Sequence, residues 1–371
     1  MFEPQEEAAP PAPNSGGAGK TGERVARSVS GTPRIGGGGG IVLRDGLVCC
    51  VCGATDARPW RTSGDNLLGG PAVWQAVRCV RCGTARLDPR PPAERMAYFY
   101  PPDLYARSEP DAASGTDEIG RRLDQYNDSL AERAARALTS GAGGKTVLDV
   151  GCGDGRFLAA LSARGAAGVT GLETDPVAAK LARRRTGGPV LETALEDAGL
   201  PDAAFDLISL LHVLEHVPDP RATLTQARRV LRPSGALFLA LPNAASLEAA
   251  VFGRAWYHLD LPRHLWGFGP RTLTRLLEET GFDVETVQFF PFLFAPQSVR
   301  NVLRSVRPAR AAAATSHANE HGRRAAGSPK SALLTRFVAG WLRASERLGE
   351  MWPGEIMEIV ARVRPGEKEK P

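Results

Sequence analysis

The sequence lacks a long hydrophobic run. Its longest apolar stretches, such as residues 289–296, are far shorter than the about 20 residues that a membrane-spanning helix needs. The first residues, MFEPQEEAAP, are acidic and proline-rich and lack the basic and apolar regions of a signal peptide. These two absences predict a cytoplasmic protein.

The charge is only slightly unbalanced, with 46 Lys and Arg against 41 Asp and Glu. The excess lies in residues 300–350, which hold ten Arg and Lys and three Glu, whereas residues 91–299 hold 21 basic and 26 acidic side chains. No aromatic residues interleave with the basic ones, and the long central region is acidic. We therefore expect no nucleic-acid partner.

The chain contains 41 Gly and 29 Pro, many of them in the first forty residues, which have almost no large apolar side chains. We expect this tail to be disordered, because it cannot bury enough surface to offset its ordering entropy. After residue 145, strands and helices alternate, which predicts a parallel sheet covered on both faces. The expected strands are 146–150, 168–172, 205–211, 236–241, 282–289 and 355–364, and the expected helices are 155–164, 176–185, 221–231 and 271–280.

Two cysteine pairs of matching spacing precede this region. Cys49 and Cys52 form one C-x-x-C-G motif, and Cys79 and Cys82 form the other. Four thiolates presented by two such turns predict a closed, tetrahedral and therefore structural zinc site. A redox or disulfide pair is the alternative, and Cys50 could substitute for Cys49.

A glycine-rich turn follows the first strand of the alternating region, in the segment VLDVGCGDG. Arg156 stands where the dinucleotide-binding motif has its third glycine, which argues against a pyrophosphate ligand. The acidic Asp149 and Asp154 would repel phosphate and suit a cationic ligand. Glu173 ends the next strand, where a carboxylate can bind both ribose hydroxyls. Leu195 and Glu196 precede the third long strand and could hold an adenine ring and its amino group.

The order of these segments resembles the class I S-adenosylmethionine-dependent methyltransferases over residues 145–290. VLDVGCGDGRFL is similar to that family's first motif, GLETD to its second, FDLISLLHVLEHVPDP to its fourth, and RRVLRPSGALFLALPN to the segment that follows. The resemblance implies that Asp149, Gly151 and Gly153 line the methionine moiety, that Glu173 binds the ribose, and that Leu195 with Glu196 holds the adenine. Many relatives have an Asp where this chain has Ala194, so the adenine contact departs from the pattern.

The cysteine motifs, the segments DPRPP and YFYPPDLY, and the long region after the fifth strand resemble a bacterial subgroup of zinc-ribbon methyltransferases. Those proteins belong to polysaccharide and natural-product pathways and include sugar C-methyltransferases. The resemblance implies an α/β, Rossmann-like methyltransferase with a seven-stranded mostly parallel sheet, a small zinc ribbon and a helical insertion before the last strand. The expected parts are a disordered tail (1–40), the zinc ribbon (41–90), a helical linker (91–144), the methyltransferase core (145–299), a basic helical insertion (300–350), and the last strand and tail (351–371).

Catalytic candidates follow the fourth strand, where ligands of an open parallel sheet bind. Glu215 and His216 should lie beside the methyl group that is transferred. His216 could remove a proton from a substrate hydroxyl, or it could only orient the substrate. We expect His212 to be structural.

A second candidate cluster spans residues 256–266. Tyr257, His258 and His264, with Asp260 and Arg263, could bind a polyhydroxylated acceptor through charge-assisted hydrogen bonds. A structural loop with an internal salt bridge is the alternative.

The late basic segment is helical from residue 332 to 348, with its apolar side chains on one face. This helix could pack as a lid or at a dimer interface, or it could make a peripheral contact with an anionic membrane. The sequence as a whole predicts a methyltransferase that uses S-adenosyl-L-methionine and a structural zinc ion, and that methylates a small-molecule, sugar or glycan-type acceptor. The alternatives are O-methylation of a quinone-like or lipid-linked acceptor and a noncatalytic donor-binding scaffold. The oligomeric state stays open.

Overall fold

The computed structural model describes residues 47–69, 72–101, 118–138, 141–290, 298, 301 and 354–365. The predicted tail (1–40), the helix 332–348 and most of the insertion 300–350 lie outside the described residues. Among the helices within these ranges, none combines the length and apolar character required for crossing a membrane.

The cysteine-containing region forms a small antiparallel sheet of four strands. Its strands are β1 (Ala57–Gly64), β2 (Val73–Cys79), β3 (Ala85–Leu87) and β9 (Trp266–Gly267), in that spatial order. The first three belong to the N-terminal part of the chain, but β9 comes from the region after residue 256. The N-terminal strands therefore share one sheet with the predicted acceptor loop.

The larger sheet has seven strands, in the spatial order β10-β11-β8-β7-β4-β5-β6. The strands are β4 (Thr146–Val150), β5 (Gly168–Leu172), β6 (Val190–Leu191), β7 (Phe205–Leu211), β8 (Leu231–Pro242), β10 (Phe282–Phe290) and β11 (Ile356–Val363). Strands β4 to β8 pair in parallel, and β11 pairs antiparallel to both β8 and β10. This topology confirms the predicted Rossmann-like fold with a mostly parallel seven-stranded sheet.

Helices and short 3-10 turns connect these strands. The helices are α1 (Ala93–Met96), α2 (Glu118–Arg136), α3 (Arg156–Ala163), α4 (Pro176–Thr186), α5 (Pro220–Val230), α6 (Leu247–Phe252) and α7 (Pro270–Glu279). Helices α4 and α5 begin with the same Asp-Pro signal. The carboxylates of Asp175 and Asp219 each accept two backbone N–H groups of the first turn, and Pro at the first helical position needs no such partner.

The strands are buried on both faces, as expected for a parallel sheet covered by helices. Successive side chains of a strand point to opposite faces, so Val147 and Leu148 belong to two different hydrophobic cores. Helices α2, α3 and α4 cover one face. Helices α5 and α7, together with Val51 from the first cysteine turn and Leu87 from the small sheet, cover the other.

A buried ion pair joins α2 to the antiparallel strand β11. The Nε and Nη2 atoms of Arg133 donate to the two carboxylate oxygens of Glu358 at 2.7 and 2.8 Å. The Glu358 side chain is 4% exposed, whereas that of Arg133 is 21% exposed. The guanidinium also lies 4.4 Å from the centroid of the Phe290 ring, so it contacts both antiparallel strands.

We expect Arg133→Met to lower the free energy of unfolding by about 2–3 kcal/mol, because it leaves a buried carboxylate unpaired. Adding Glu358→Gln should recover part of the loss, since the remaining group is then neutral. Arg136→Met is the matched control. Its pair with Glu132 is exposed, and its loss should cost less than about 0.5 kcal/mol. Urea denaturation measures all four proteins, and equal losses for Arg133→Met and Arg136→Met would contradict this account.

Candidate active site

A cavity of about 420 Å³ opens where β4 and β7 end, between α2 and the loop that follows α6. Eight of the predicted site residues line it: Asp149, Gly151, Gly153, Glu215, His216, Tyr257, His258 and His264. Glu173, Leu195 and Glu196 are not on its wall, and neither are the four cysteines. The structure thus brings the glycine turn and the predicted catalytic residues to one space.

The glycine turn approaches the segment after β7 closely. Gly151 has a φ of +68°, and a Cβ atom at this position would lie 2.5 Å from a methyl carbon of Val213. Only glycine fits both the backbone conformation and the space. The turn can therefore present its backbone to the cavity without a side chain in the way.

Asp149 is the acidic group of this turn. Its side chain is buried and accepts a hydrogen bond of 2.6 Å from the Ser209 hydroxyl. Burial raises the pKa of Asp149 to about 7, with a further increase from nearby Glu173 and a decrease from the Ser209 hydrogen bond. Asp149 thus titrates near neutrality, and a cationic ligand would favour its ionised form.

Glu173 lies at the end of β5 and holds the turn in place. One carboxylate oxygen accepts the N–H of Gly153 at 2.9 Å, and the other accepts the N–H of Asp175 at 2.8 Å. Of the two predicted adenine contacts, Leu195 is 1% exposed within the core, and Glu196 is exposed and accepts a hydrogen bond from the Thr223 hydroxyl.

Glu215, His216 and His264 form a compact cluster on the opposite wall. The His216 and His264 rings meet edge to face with centroids 4.6 Å apart, and Glu215 is 2% exposed. Neither carboxylate oxygen of Glu215 accepts a hydrogen bond from the described residues. Burial would raise the pKa of Glu215, but the imidazoles of His212, His216 and His264 lower it overall. One ligand atom from each member of the cluster lies within 4.8 Å of the others, a spacing also compatible with a divalent cation.

Two hydrogen-bond partners of His216 bear on its tautomer. Its Nδ1 atom lies 3.1 Å from the backbone carbonyl oxygen of Arg263 and 2.9 Å from the hydroxyl of Tyr100. A carbonyl oxygen can only accept, so the Arg263 contact favours a proton on Nδ1, which leaves the lone pair on Nε2. Burial and the neighbouring His264 lower the pKa of His216 to about 4, so the ring is neutral near pH 7. A neutral imidazole with a free lone pair can accept a proton.

His212, which we expected to be structural, lines the cavity. Its Nε2 atom lies 2.8 Å from the Tyr126 hydroxyl, and its φ of +56° turns the chain sharply at the end of β7. Sequence reasoning missed Tyr126 and Tyr100 as site residues. Tyr126 follows the apolar spacing of α2 with Leu123 and Leu130, so the pattern indicated a core position and carried no signal of a polar contact.

The predicted acceptor loop divides into residues that reach the cavity and one that does not. Tyr257, His258 and His264 line it, and Nε2 of His258 lies 3.3 Å from a carboxylate oxygen of Glu355. Arg263, a candidate to bind substrate, is 1% exposed and does not line the cavity. Four of its five N–H groups donate to the carboxylates of Asp65 and Asp260, so its guanidinium is engaged within the protein.

The four predicted metal ligands come together away from the cavity. The sulfurs of Cys49, Cys52, Cys79 and Cys82 lie within 4.8 Å of one another. The pairs Cys49–Cys82 and Cys52–Cys79 are each 3.5 Å apart. Cys50 is not a member of this set.

Comparison with known proteins assigns a family to the region around the cavity. A family profile described as "Methyltransferase domain" matches residues 121–287, which include the glycine turn, Glu173 and His216. A ubiquinone biosynthesis O-methyltransferase of Thiobacillus denitrificans is 34% identical over 154 residues, covering 38% of this chain and 66% of that protein. The protein of the same name from Pseudomonas paraeruginosa is 32% identical over 160 residues, covering 40% of this chain and 68% of that protein.

Among solved structures, a SAM-dependent methyltransferase from Archaeoglobus fulgidus superposes with a TM-score of 0.43 at 20% identity, covering 64% of this chain and 94% of that one. The present chain spans about two thirds of the length of the two curated relatives. The family match begins after the cysteine-containing region, so that region has no counterpart in it.

Proposed function

Because the chain belongs to the class I S-adenosylmethionine-dependent methyltransferases, we propose that it methylates a hydroxyl oxygen of a quinone-like aromatic acceptor. The observation that carries this proposal is one cavity with the glycine turn on one wall and a neutral, cavity-lining His216 on the other. The two relatives are named for O-methylation in ubiquinone biosynthesis, which favours oxygen over carbon or nitrogen.

The residues around the turn suit the donor. Asp149 is a buried carboxylate near its titration point, and a cationic ammonium group would stabilise its charged form. Gly151 and Gly153 leave the backbone accessible, and Glu173 lies beside them with a carboxylate that ribose hydroxyls could approach. When bound, S-adenosylmethionine supplies an activated methyl group, so the protein needs to orient the acceptor and remove one proton.

His216 is the proposed proton acceptor. Its Nδ1 proton is directed at the Arg263 carbonyl, which leaves Nε2 to take the hydroxyl proton of the acceptor. A histidine with a pKa of about 4 is a weak base. It can assist a phenolic or enolic hydroxyl, whose pKa is about 10 in tyrosine, far better than an aliphatic sugar hydroxyl. The low basicity of His216 therefore favours the acidic hydroxyl of a quinone-like acceptor over the hydroxyl of a sugar.

The remaining wall fits such an acceptor. Leu123, Leu130 and Phe157 are apolar, and Tyr126 and Tyr257 add aromatic surface. Desolvation in this space would strengthen the interactions of the reacting groups.

A sugar or glycan-type acceptor is the second candidate. The resemblance of the cysteine motifs to the zinc-ribbon subgroup favours it, and so do the polar side chains of Asn127 and Asp260 on the cavity wall. The two candidates differ in the acidity of the hydroxyl, so a screen of acceptors separates them.

We also propose that Cys49, Cys52, Cys79 and Cys82 hold one structural zinc ion. Zn–S bonds of about 2.3 Å in a tetrahedron put the sulfurs about 3.8 Å apart, close to the distances between these thiols. Four sulfur ligands leave no open coordination position, so the ion would stabilise the small sheet and take no part in the reaction.

Methyl transfer to a panel of catechols, hydroxyquinones and sugars, with a labelled donor, tests the proposed reaction. We expect turnover of a phenolic or enolic acceptor and a fall in kcat of about 10²–10⁴-fold for His216→Asn. The affinity for S-adenosylhomocysteine, measured by calorimetry, should stay within about twofold as the control. Turnover of sugars alone would select the second candidate, and donor binding without any turnover would support a noncatalytic scaffold.

Donor affinity should depend on pH through Asp149. Below pH 7 this carboxyl is largely protonated in the free protein, and the bound ammonium group favours its ionised form. Binding should therefore release a proton, and affinity should rise from pH 6 to pH 8 by up to about tenfold per unit below pH 7. Calorimetry in two buffers measures both effects. Asp149→Asn should abolish both the proton release and the pH dependence of donor affinity, and the exposed Glu192→Gln should leave both unchanged. A donor affinity that does not change with pH in the unmodified protein would contradict the role of Asp149 in donor binding.

Metal analysis of the reduced protein should find about one zinc per chain. We expect Cys52→Ser to lose the metal and to lower the melting temperature, because the small sheet loses its cross-link. Cys50→Ser is the matched control and should retain both. Metal-free protein of unchanged stability, or loss of zinc in Cys50→Ser, would overturn the four-cysteine site.

A further inference from the structure

We propose that Asp65, in the turn after β1, is a positioning residue that sets the tautomer and direction of His216 through Arg263. This inference rests on the proposed function, since it concerns the base of that reaction. It gives the N-terminal sheet a part in catalysis that is separate from any metal.

The turn itself fixes the Asp65 carboxylate. One of its oxygens accepts the backbone N–H groups of Leu67 and Leu68, both at 2.9 Å. The side chain is 5% exposed, so water competes little for its remaining lone pairs. It is therefore a rigid acceptor facing inward from the small sheet.

Asp65 binds Arg263 through both oxygens, across 198 positions of sequence. Nη1 and Nη2 of Arg263 donate to the carboxylate at 2.9 and 2.8 Å, a bidentate arrangement that fixes the plane of the guanidinium. Nε donates at 2.9 Å to the second carboxylate, that of Asp260. With its guanidinium buried between two carboxylates, Arg263 cannot rotate without breaking charge-assisted hydrogen bonds.

The backbone of the same residue faces the proposed base. The carbonyl oxygen of Arg263 is the acceptor for Nδ1 of His216 at 3.1 Å. The carboxylates of Asp65 and Asp260 form a clamp on the Arg263 side chain, and this clamp keeps the carbonyl in place. Asp260 has a φ of +25°, a conformation that L-residues rarely adopt, and its hydrogen bonds to Arg263 help to hold it. The clamp thus shapes the loop on both sides of the histidine contact.

His216 has an alternative hydrogen-bond partner, which is why the clamp matters. The Tyr100 hydroxyl lies 2.9 Å from the same Nδ1 atom and, unlike a carbonyl, could donate to it. That arrangement would place the ring proton on Nε2 and remove the lone pair that the reaction needs. A carbonyl held firmly at Nδ1 selects the productive tautomer, and a displaced carbonyl would let Tyr100 select the other.

Nitrogen NMR of protein labelled with ¹⁵N-histidine measures the tautomer directly and requires no acceptor. We expect the unmodified protein to carry the His216 proton on Nδ1. Asp65→Asn cannot accept the bidentate contact and should shift the population toward the Nε2–H form. Asp56→Asn is the matched control, because it removes the same charge from an exposed position of the same region and should leave the tautomer unchanged.

Kinetics supply the second readout. Asp65→Asn should lower kcat by about 10–100-fold with little change in donor affinity, as expected for a group that orients a base. In a His216→Asn background, Asp65→Asn should lower kcat by less than about twofold. A purely structural role would lower kcat by the same factor in both backgrounds. Asp65→Glu, which keeps the charge and both oxygens, should recover part of the activity.

The outcomes separate this proposal from the proposed function. An Nε2–H tautomer in the unmodified protein would overturn the proposal, and so would a folded Asp65→Asn variant with an unchanged tautomer, or additive losses in the double variant. If Asp65→Asn does not fold, the tautomer of His216 can be measured in Arg263→Lys, which keeps the positive charge but loses the bidentate contact. An Asp65-dependent tautomer in a protein that methylates no acceptor would uphold the positioning role and contradict the reaction.

Discussion

The common carboxyl edge of the parallel strands is the constraint on which the whole site depends. β4, β5 and β7 run in the same direction, so the chain leaves each of them at the same edge. Helices cover both faces of the sheet, which leaves this edge as the place where a ligand can reach backbone and side chains together. Asp149, Glu173 and His212 lie at these strand ends or directly after them, and the cavity forms between Asp149, His212 and α2.

The small sheet completes the site from outside the parallel sheet. β9 pairs with β3, and the buried ion pair between Asp65 and Arg263 connects the turn after β1 to the loop of Tyr257 and His264. A buried guanidinium is costly unless its donors are satisfied, and here two carboxylates accept four of its five N–H groups. The loop that carries three of the five predicted catalytic residues is therefore supported by a part of the chain that lies outside the family match.

Burial controls the protonation states across the cavity. Burial disfavours the charged form of each group, so it raises the pKa of Asp149 and lowers the pKa of His216. The result is a neutral base opposite a carboxyl group that ionises near neutrality. Such a pair suits a reaction in which a cation binds on one side and a proton leaves on the other, and it is the physical link between the fold and the proposed O-methylation.

The sequence alone was sufficient for the features that depend on neighbouring residues. The glycine turn, Glu173 at the end of its strand, His216 after β7 and the paired cysteines all have signals within a few positions, and the alternation of strands and helices predicted the sheet correctly. Sequence reasoning missed Tyr100, Tyr126 and Asp65, and it left Arg263 open between binding the acceptor and an internal salt bridge of the loop. Tyr126 reads as an ordinary apolar helix position, and an Asp–x–x–Arg segment has the same composition in a binding loop and in a buried clamp.

Only the tertiary structure decided which of these groups meet. The contact between Asp65 and Arg263 spans 198 positions, that between Tyr100 and His216 spans 116, and that between Tyr126 and His212 spans 86. Periodicity and local motifs carry no information about such separations, because these contacts depend on the order of strands and the packing of α2 and the small sheet. Local chemistry therefore determined the kind of site, and the packing of distant segments determined which residues surround His216 and hold its loop.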